Sequence, residues 1–228
     1  MDSGDAEGLL HCVPFAVGQP EQLVFMYDET LRIDEQIYPI TETWGPLDYV
    51  VLLGPDHPRF FVLTGELELR IIDVDITQNQ VIADQSWWQD NGEIAPSALA
   101  QADVDIATPG PELVVVSATL EAGQLDIHRG AETGAPEDFG MQTTPLPLRS
   151  RTVLTGQLDD DPQAELLIVP FPMLELLRAD VDDDAIELTL IDLDDTSFVD
   201  VAVADVDGDG IAEILALNAT KERIEIIR

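Results

Sequence analysis

Three aspartates, Asp205, Asp207 and Asp209, stand at alternate positions in one short loop. Gly208 and Gly210 stand between and after them, and glycine permits the sharp backbone curl that brings such side chains together. Several oxygen ligands in a loose geometry are what a calcium ion accepts. The spacing therefore predicts a calcium loop.

Counting from Asp205, the backbone carbonyl of Ile211 is the seventh position and Glu213 is the ninth, and both could supply further oxygens. An EF-hand loop begins similarly, but its bidentate acid is the twelfth residue and a helix follows. Here the twelfth residue is Ala216, and the apolar run from Ile214 predicts a strand. The alternative is a solvated Asp-Gly turn that binds no metal.

Composition limits the classes of partner. The 228 residues carry a net charge of −36, which argues against binding to nucleic acid or to an anionic membrane surface. No apolar run approaches the roughly 20 residues needed to span a bilayer. The acidity suits either a saline habitat or a calcium-rich exterior, and the single cysteine, Cys12, leaves the fold without an internal disulfide.

One pattern recurs along the chain: an anchor residue, a continuous apolar strand, a short turn and a second strand. The anchors are Gln22, Arg59, Glu112, Glu165 and Glu213. A further strand candidate precedes each anchor, weaker outer strands follow, and sustained helical periodicity is almost absent. Repeats of about 40 to 50 residues with four short strands are typical of propeller blades.

We therefore predict an all-β protein, a β-propeller of about five four-stranded blades in a single domain, residues 1–228. The blades are expected at residues 9–43, 47–88, 97–148, 151–193 and 197–228. An irregular β-sandwich is the competing fold. Pairing of Glu7 to Leu10, or a neighbouring stretch, with Ile224 to Ile227 would close the ring. Failure of that pairing would favour a fragment of a seven-bladed propeller.

The segment from Asp205 to Leu215, Asp-Val-Asp-Gly-Asp-Gly-Ile-Ala-Glu-Ile-Leu, resembles the calcium loop of FG-GAP or VCBS repeats. Such repeats occur in integrin α-subunit propellers and in many bacterial surface proteins. The resemblance implies that the loop joins the first and second strands of a blade and holds Ca2+ at the propeller's edge. Glu213 departs from the family, whose last ligand is usually Asp.

The match weakens towards the N-terminus. Gln157 to Glu165 aligns without a gap, so Asp159, Asp161 and Glu165 predict a weaker calcium site. The segment from Asp103 to Glu112 needs one extra residue and lacks a third acid, so it predicts a turn without metal.

Other chemistry is sparse. The histidines His11, His57 and His128 lie in different repeats without partners at zinc spacing, and we expect them in turns or on strand surfaces. Trp87 and Trp88 could form a ligand platform for a neutral sugar or a partner's cation. The alternative is that at least one indole packs at a blade edge.

These observations favour a non-catalytic, calcium-stabilised binding or adhesion module with a protein or carbohydrate ligand. We expect it outside the cell or on its surface, its secretion signal having been removed. The alternatives are a polysaccharide lyase or hydrolase on a propeller scaffold, and a structural spacer of a larger surface protein.

Overall fold

The computed structural model describes residues 9–13, 22–27, 29–41, 47–54, 57–89, 94–105, 110–119, 122–170, 175–181, 185–193 and 198–227. Within them the regular structure is β-strand, apart from one short 3-10 helix, Pro136–Asp138. The strands are β1 (Leu9–Val13), β2 (Gln22–Tyr27), β3 (Thr30–Ile33), β4 (Gln36–Pro39), β5 (Asp48–Leu53), β6 (Pro58–Leu63), β7 (Glu68–Asp75), β8 (Gln80–Gln89), β9 (Ala95–Ala102), β10 (Glu112–Ala118), β11 (Gly123–Arg129), β12 (Gly140–Leu146), β13 (Ser150–Gly156), β14 (Glu165–Pro170), β15 (Glu175–Val181), β16 (Ile186–Asp192), β17 (Phe198–Ala204), β18 (Glu213–Asn218) and β19 (Arg223–Ile227).

The strands form five antiparallel sheets in strict chain order. Four sheets have four strands each, β1–β4, β5–β8, β9–β12 and β13–β16, and the fifth has three, β17–β19. We call them blades 1 to 5. Their first strands contact one another in sequence, β1 with β5, β5 with β9, β9 with β13 and β13 with β17. The prediction of an all-β chain with about five blades is confirmed.

The anchors open the second strand of most blades. Gln22, Glu112, Glu165 and Glu213 are the first residues of β2, β10, β14 and β18, and Arg59 is the second residue of β6. The chain segment that precedes each anchor therefore joins the first strand of a blade to the second. This is the position that the calcium-loop resemblance implies.

Apolar clusters fill the junctions between consecutive blades. Along β10, Val114 and Val116 pack towards blade 4, whereas Leu113 and Val115 pack towards blade 2. Side chains alternate across a strand, and a strand buried on both faces must be apolar at every position. This explains why the second strands are continuous apolar runs in the sequence. Burial of each such side chain contributes about 1.5–3 kcal/mol.

The two ends of the blade series present apolar side chains to solvent. On the face of blade 5 that points away from blade 4, Ile224 and Ile226 are 61% and 55% exposed. On blade 1, Leu23 and Ile37 are also exposed. Within the described residues, β17 and β1 are not joined by contacts comparable with those between the other first strands.

The predicted strand pairing at the ring closure is wrong for the residues that the structure describes. Leu9 and Leu10 pair with Met26 and Phe25, so β1 is the first strand of blade 1 and not the fourth strand of blade 5. The apolar run from Leu9 to Val13 is used to complete the first sheet. Glu7 and Gly8 lie outside the described residues.

Candidate metal centre

The turn between β17 and β18 brings three carboxylates together. Oxygen atoms of Asp205, Asp207 and Asp209 all lie within 4.8 Å of one another, and the three residues are exposed. Gly208 and Gly210 adopt φ angles of 81° and 96°, which favour glycine, so the backbone curls as the sequence predicts. This hard-oxygen donor set fits a calcium ion.

Backbone amides hold the carboxylates in place. Asp205 accepts hydrogen bonds from the amides of Gly208 at 2.6 Å and Gly210 at 2.9 Å. The amide of Ile211 donates to Asp209 Oδ1 at 2.9 Å. The hydrogen bonds from Gly210 and Gly208 lower the pKa of Asp205, because they stabilise its ionised form. The turn therefore keeps this ligand charged below the usual titration range of an aspartate.

Glu213 has a structural contact that sequence reasoning missed. It is buried, and its Oε2 accepts a hydrogen bond from the amide of Val206 at 3.0 Å. This bond closes the turn across its base. The ninth position therefore anchors the loop to the first residue of β18, whatever further ligand role it has.

The same closure recurs in blades 3 and 4. Glu165 accepts a hydrogen bond from the amide of Leu158, and Glu112 accepts one from Val104 at 3.0 Å. Both glutamates are buried and each begins the second strand of its blade. The extra residue in the blade 3 turn lengthens the loop without changing this contact. A glutamate directly before an apolar run was the available sequence signal.

The predicted weaker site in blade 4 is also brought together. Carboxylate oxygens of Asp159, Asp161 and Glu165 lie within 4.8 Å of one another. An arginine lies among them: Arg178 forms an ion pair with Asp159, and its Nη2 is 3.9 Å from Glu165. The same guanidinium contacts Asp180 at 2.8 Å. The Arg178 guanidinium therefore supplies a positive charge among the acids of this turn.

The partners of the blade 4 turn explain why its sequence departs from that of blade 5. Gln157, which replaces the first acid, donates its side-chain amide to the carbonyls of Asp159, at 3.2 Å, and Asp161. In the strand register Arg178 pairs with Leu167, and the equivalent pair in blade 5 is Leu215 with Ile226. An apolar side chain thus stands in blade 5 where blade 4 has the arginine.

The blade 3 turn carries an arginine as well. Arg129 donates to Asp105 at 2.8 Å. Beside this pair, Glu112 Oε1 has no hydrogen-bond partner among the described residues, and burial raises the pKa of Glu112 to about 7. The nearby charges of Asp103 and Asp105 add to this increase. Ionisation of Glu112 is therefore unfavourable, and a large fraction of this side chain is protonated at neutral pH.

Hydrogen bonds join these turns from blade to blade. The residue before the closing glutamate donates its amide to the first residue of the preceding turn: Ala212 to the Gln157 carbonyl at 2.6 Å, and Ala164 to the Asp103 carbonyl at 3.0 Å. At the same junction as Ala212, a Cβ on Gly156 would overlap Val203. The turns of blades 3, 4 and 5 form one connected rim.

Trp87 packs in the junction between blades 2 and 3. Its ring centroid is 4.8 Å from that of His128 and 5.3 Å from that of Phe139. The indoles of Trp87 and Trp88 meet edge to face at 71°, so they do not form one flat platform. His128 is buried, not on a strand surface as expected, and this burial lowers its pKa to about 4. The geometry favours the packing alternative for Trp87.

A cleft of about 420 Å³ opens between blades 4 and 5 beside the candidate metal loop. Its walls come from the second, third and outer strands of these blades and from the two rim turns. Asp209 and Ile211 of the loop line it, together with Arg178.

No helix in the described part of the chain has the length and apolar character to cross a membrane.

Comparison with known proteins supports the fold and leaves the family open. No protein-family model matches the sequence. No curated protein matches it significantly. Among solved structures, the chain is similar to the WD40 domain of SCAP from fission yeast, with a TM-score of 0.54 and 8% identity over 100% of this chain. The match spans 66% of that chain, just under two thirds of its length. The fold is a β-propeller; membership of the FG-GAP or VCBS family stays a prediction.

Proposed function

We propose that this propeller is a non-catalytic binding or adhesion module, exposed outside the cell and stabilised by calcium in its fifth blade. The convergence of Asp205, Asp207 and Asp209 within 4.8 Å is the observation that carries the proposal. The carbonyl of Ile211 is a further oxygen that the loop offers. Blade 4 would depend less on metal, because Arg178 already lies against its acids.

The proposed role of calcium is structural. Like charges at this separation repel one another, and a divalent cation would convert the repulsion into a clamp on the connection between β17 and β18. Binding to the folded chain alone stabilises it by mass action, about 2.7 kcal/mol at a free calcium concentration 100 times the dissociation constant. Blade 5 has an uncovered far face, so an additional constraint matters most there.

A binding role follows from the scaffold and its charge. A propeller offers clefts and loops on a rigid frame, and the neighbour of similar fold is a WD40 domain. A net charge of −36 favours partners with cationic or neutral surfaces, either proteins or carbohydrates, over nucleic acid. An enzyme acting on polysaccharides and a spacer in a larger surface protein are the competing hypotheses.

Calorimetric titration with calcium tests the metal proposal. The double variant Asp207→Ala/Asp209→Ala should abolish tight binding and the calcium-dependent increase in melting temperature. Glu66→Ala/Glu222→Ala is the matched control, since it removes two charges from exposed turns and should bind calcium like the parent protein. Equal titration curves for the parent and the aspartate variant would refute the assignment. Release of reducing or unsaturated sugars from a polysaccharide panel would support the enzyme instead.

A further inference from the structure

The cleft between blades 4 and 5 combines apolar walls with acidic edges. Thr189 and Ile191 of β16 form one wall, and Ile214 of β18 and Ile227 of β19 form the other. Its volume of about 420 Å³ is within the range of pockets that hold small ligands, about 300–1,000 Å³, and so leaves room for an apolar side chain. The apolar walls indicate an apolar occupant.

Carboxylates dominate the charge around this cleft. Exposed Asp209 lies at its edge, and Glu213 lines it. The lining cation, Arg178, is already matched by ion pairs with Asp159 and Asp180. An anionic ligand would therefore meet net repulsion, which the charge of the whole chain increases.

We propose that the cleft is a docking site for an extended peptide segment of a partner protein, which inserts an apolar side chain between blades 4 and 5 and places a neighbouring basic residue against Asp209. This inference rests on the proposed function as a binding module and assigns its partner chemistry. Side chains that anchor in a well-packed, desolvated pocket supply most of the affinity in protein interfaces, whereas a charged pair at the exposed rim contributes little affinity. The charge complementarity would also accelerate encounter with the partner.

Peptide binding and calcium binding should influence each other at this site. Asp209 and Ile211 belong both to the candidate metal loop and to the cleft lining. A cation in the loop would order this part of the wall and also reduce the negative charge that the basic residue meets. Whatever the sign of the net effect, it must be reciprocal: the factor by which calcium changes peptide affinity equals the factor by which the peptide changes calcium affinity.

Fluorescence anisotropy with two synthetic peptides tests the proposal. One alternates Lys and Leu, and the other alternates Lys and Ser with the same charge. At about 150 mM salt, which screens exposed charges beyond about 8 Å, the leucine peptide should bind at least about tenfold more tightly, because only its side chains fill the cleft. Equal affinities would show charge attraction alone and overturn the proposal.

Two substitutions in the cleft provide the structural control. Thr189→Trp should fill the cleft and weaken the leucine peptide at least about tenfold. Leu190→Trp, on the opposite face of the same strand and exposed, should leave its affinity unchanged. Ile191→Thr shortens and polarises one apolar wall of the cleft and should also weaken binding. Circular dichroism confirms that each variant is folded. Full affinity in both Thr189→Trp and Ile191→Thr would overturn the site.

The two proposals fail separately. Thr189→Trp should still bind calcium, and Asp207→Ala/Asp209→Ala should lose calcium but still distinguish leucine from serine peptides. If no variant binds calcium and the leucine preference persists, the metal assignment is wrong and the docking site stands. Calcium binding without any leucine preference would refute the docking site alone.

Discussion

Replacing Glu112 with Gln should stabilise this protein at alkaline pH. The Glu112 side chain is 1% exposed, and one of its oxygens has no hydrogen-bond partner among the described residues. Its other oxygen accepts the Val104 amide, which a glutamine carbonyl can do equally well. The substitution therefore removes a buried charge and keeps the bond that closes the turn.

The sign of the pH dependence follows from the raised pKa. In the unfolded chain this carboxyl titrates near its ordinary value of 4.5, whereas in the folded protein its pKa is about 7. Between these values the folded state binds more protons than the unfolded state, so stability decreases as the pH rises. Above about pH 7 the folded protein carries the full cost of ionising Glu112, and below about pH 4.5 the cost disappears.

The shift sets the size of the effect. One pKa unit corresponds to about 1.4 kcal/mol, so the difference between 4.5 and about 7 gives an upper limit of about 3 kcal/mol. Relaxation and water penetration around the charge reduce this, and we expect on the order of 1–3 kcal/mol. Asp103 and Asp105 contribute through repulsion, so the benefit should decrease in an Asp105→Asn background.

Urea unfolding at about pH 5 and about pH 8 measures the effect, with the free energy of unfolding extrapolated to water. Glu66→Gln, in an exposed turn, controls for the loss of one negative charge from an acidic chain. The stability gain of Glu112→Gln over this control should be larger at the higher pH. A gain that is the same at both pH values would show that Glu112 is not ionised against a burial penalty, and the reasoning would fail.

Two further predictions concern the rim. Arg178→Gln removes the resident cation of the blade 4 turn, so calcium stoichiometry by calorimetry should rise from one to two, while Arg223→Gln, an exposed arginine, should leave it at one; an unchanged stoichiometry in Arg178→Gln would contradict the role of the arginine. Gly156→Ala should cost about 1–3 kcal/mol of unfolding free energy through overlap with Val203. Val203→Ala in the same chain should recover much of that loss, and the absence of any recovery would place the strain elsewhere.

Much of the fold could be predicted from local patterns because each blade is a local structure. The continuous apolar runs after Gln22, Glu112, Glu165 and Glu213 become second strands, and those after Glu112 and Glu165, in the inner blades, are buried on both faces. The turns before Glu165 and Glu213 are set by acids, and in blade 5 also by glycines, within a few residues of one another. Each sheet is formed by strands that are consecutive in the sequence, so the assignment of strands to blades needs no knowledge of distant contacts.

The contacts that the sequence did not reveal are those between strands or between blades. Arg178 reaches Asp159 because β15 lies beside β14, a relation that depends on register and not on spacing. The ring of Trp87 packs against the ring of His128 across the junction between blades 2 and 3. The strand partner of β1 was also mispredicted: residues 9–43 were expected to form blade 1, but Leu9 and Leu10 were expected to pair with blade 5, because a short apolar run fits a first strand and a closing strand equally well.

In blades 2 to 5, acidic side chains lie close to the start of the second strand, and their negative charge needs a positive partner. An arginine provides it in blades 2 to 4, and we propose that a calcium ion provides it in blade 5. In blade 2 Arg59 replaces the closing glutamate and pairs with Asp73 directly opposite in β7. Blades 3 and 4 keep the glutamate and place an arginine on an aspartate of the turn. In blade 2 the arginine is the anchor and the acid lies in the third strand, whereas in blades 3 and 4 the arginine lies in the third strand and the acid lies in the turn.

Blade 5 brings together three acids, as blade 4 does, but it has an isoleucine, Ile226, where blade 4 has its arginine. On its far face Ile224 and Ile226 are more than half exposed, so within the described residues this face is packed less than the face towards blade 4. A turn that combines three convergent acids with an isoleucine in place of the arginine, in the blade with the exposed far face, is where an external cation would add the most stability. Removal of calcium should therefore unfold blade 5 first, with amide hydrogen exchange rising in β17 to β19 before it rises in β9 to β14. Uniform exchange across the blades after chelation would show that the cation has no special place in the fifth blade.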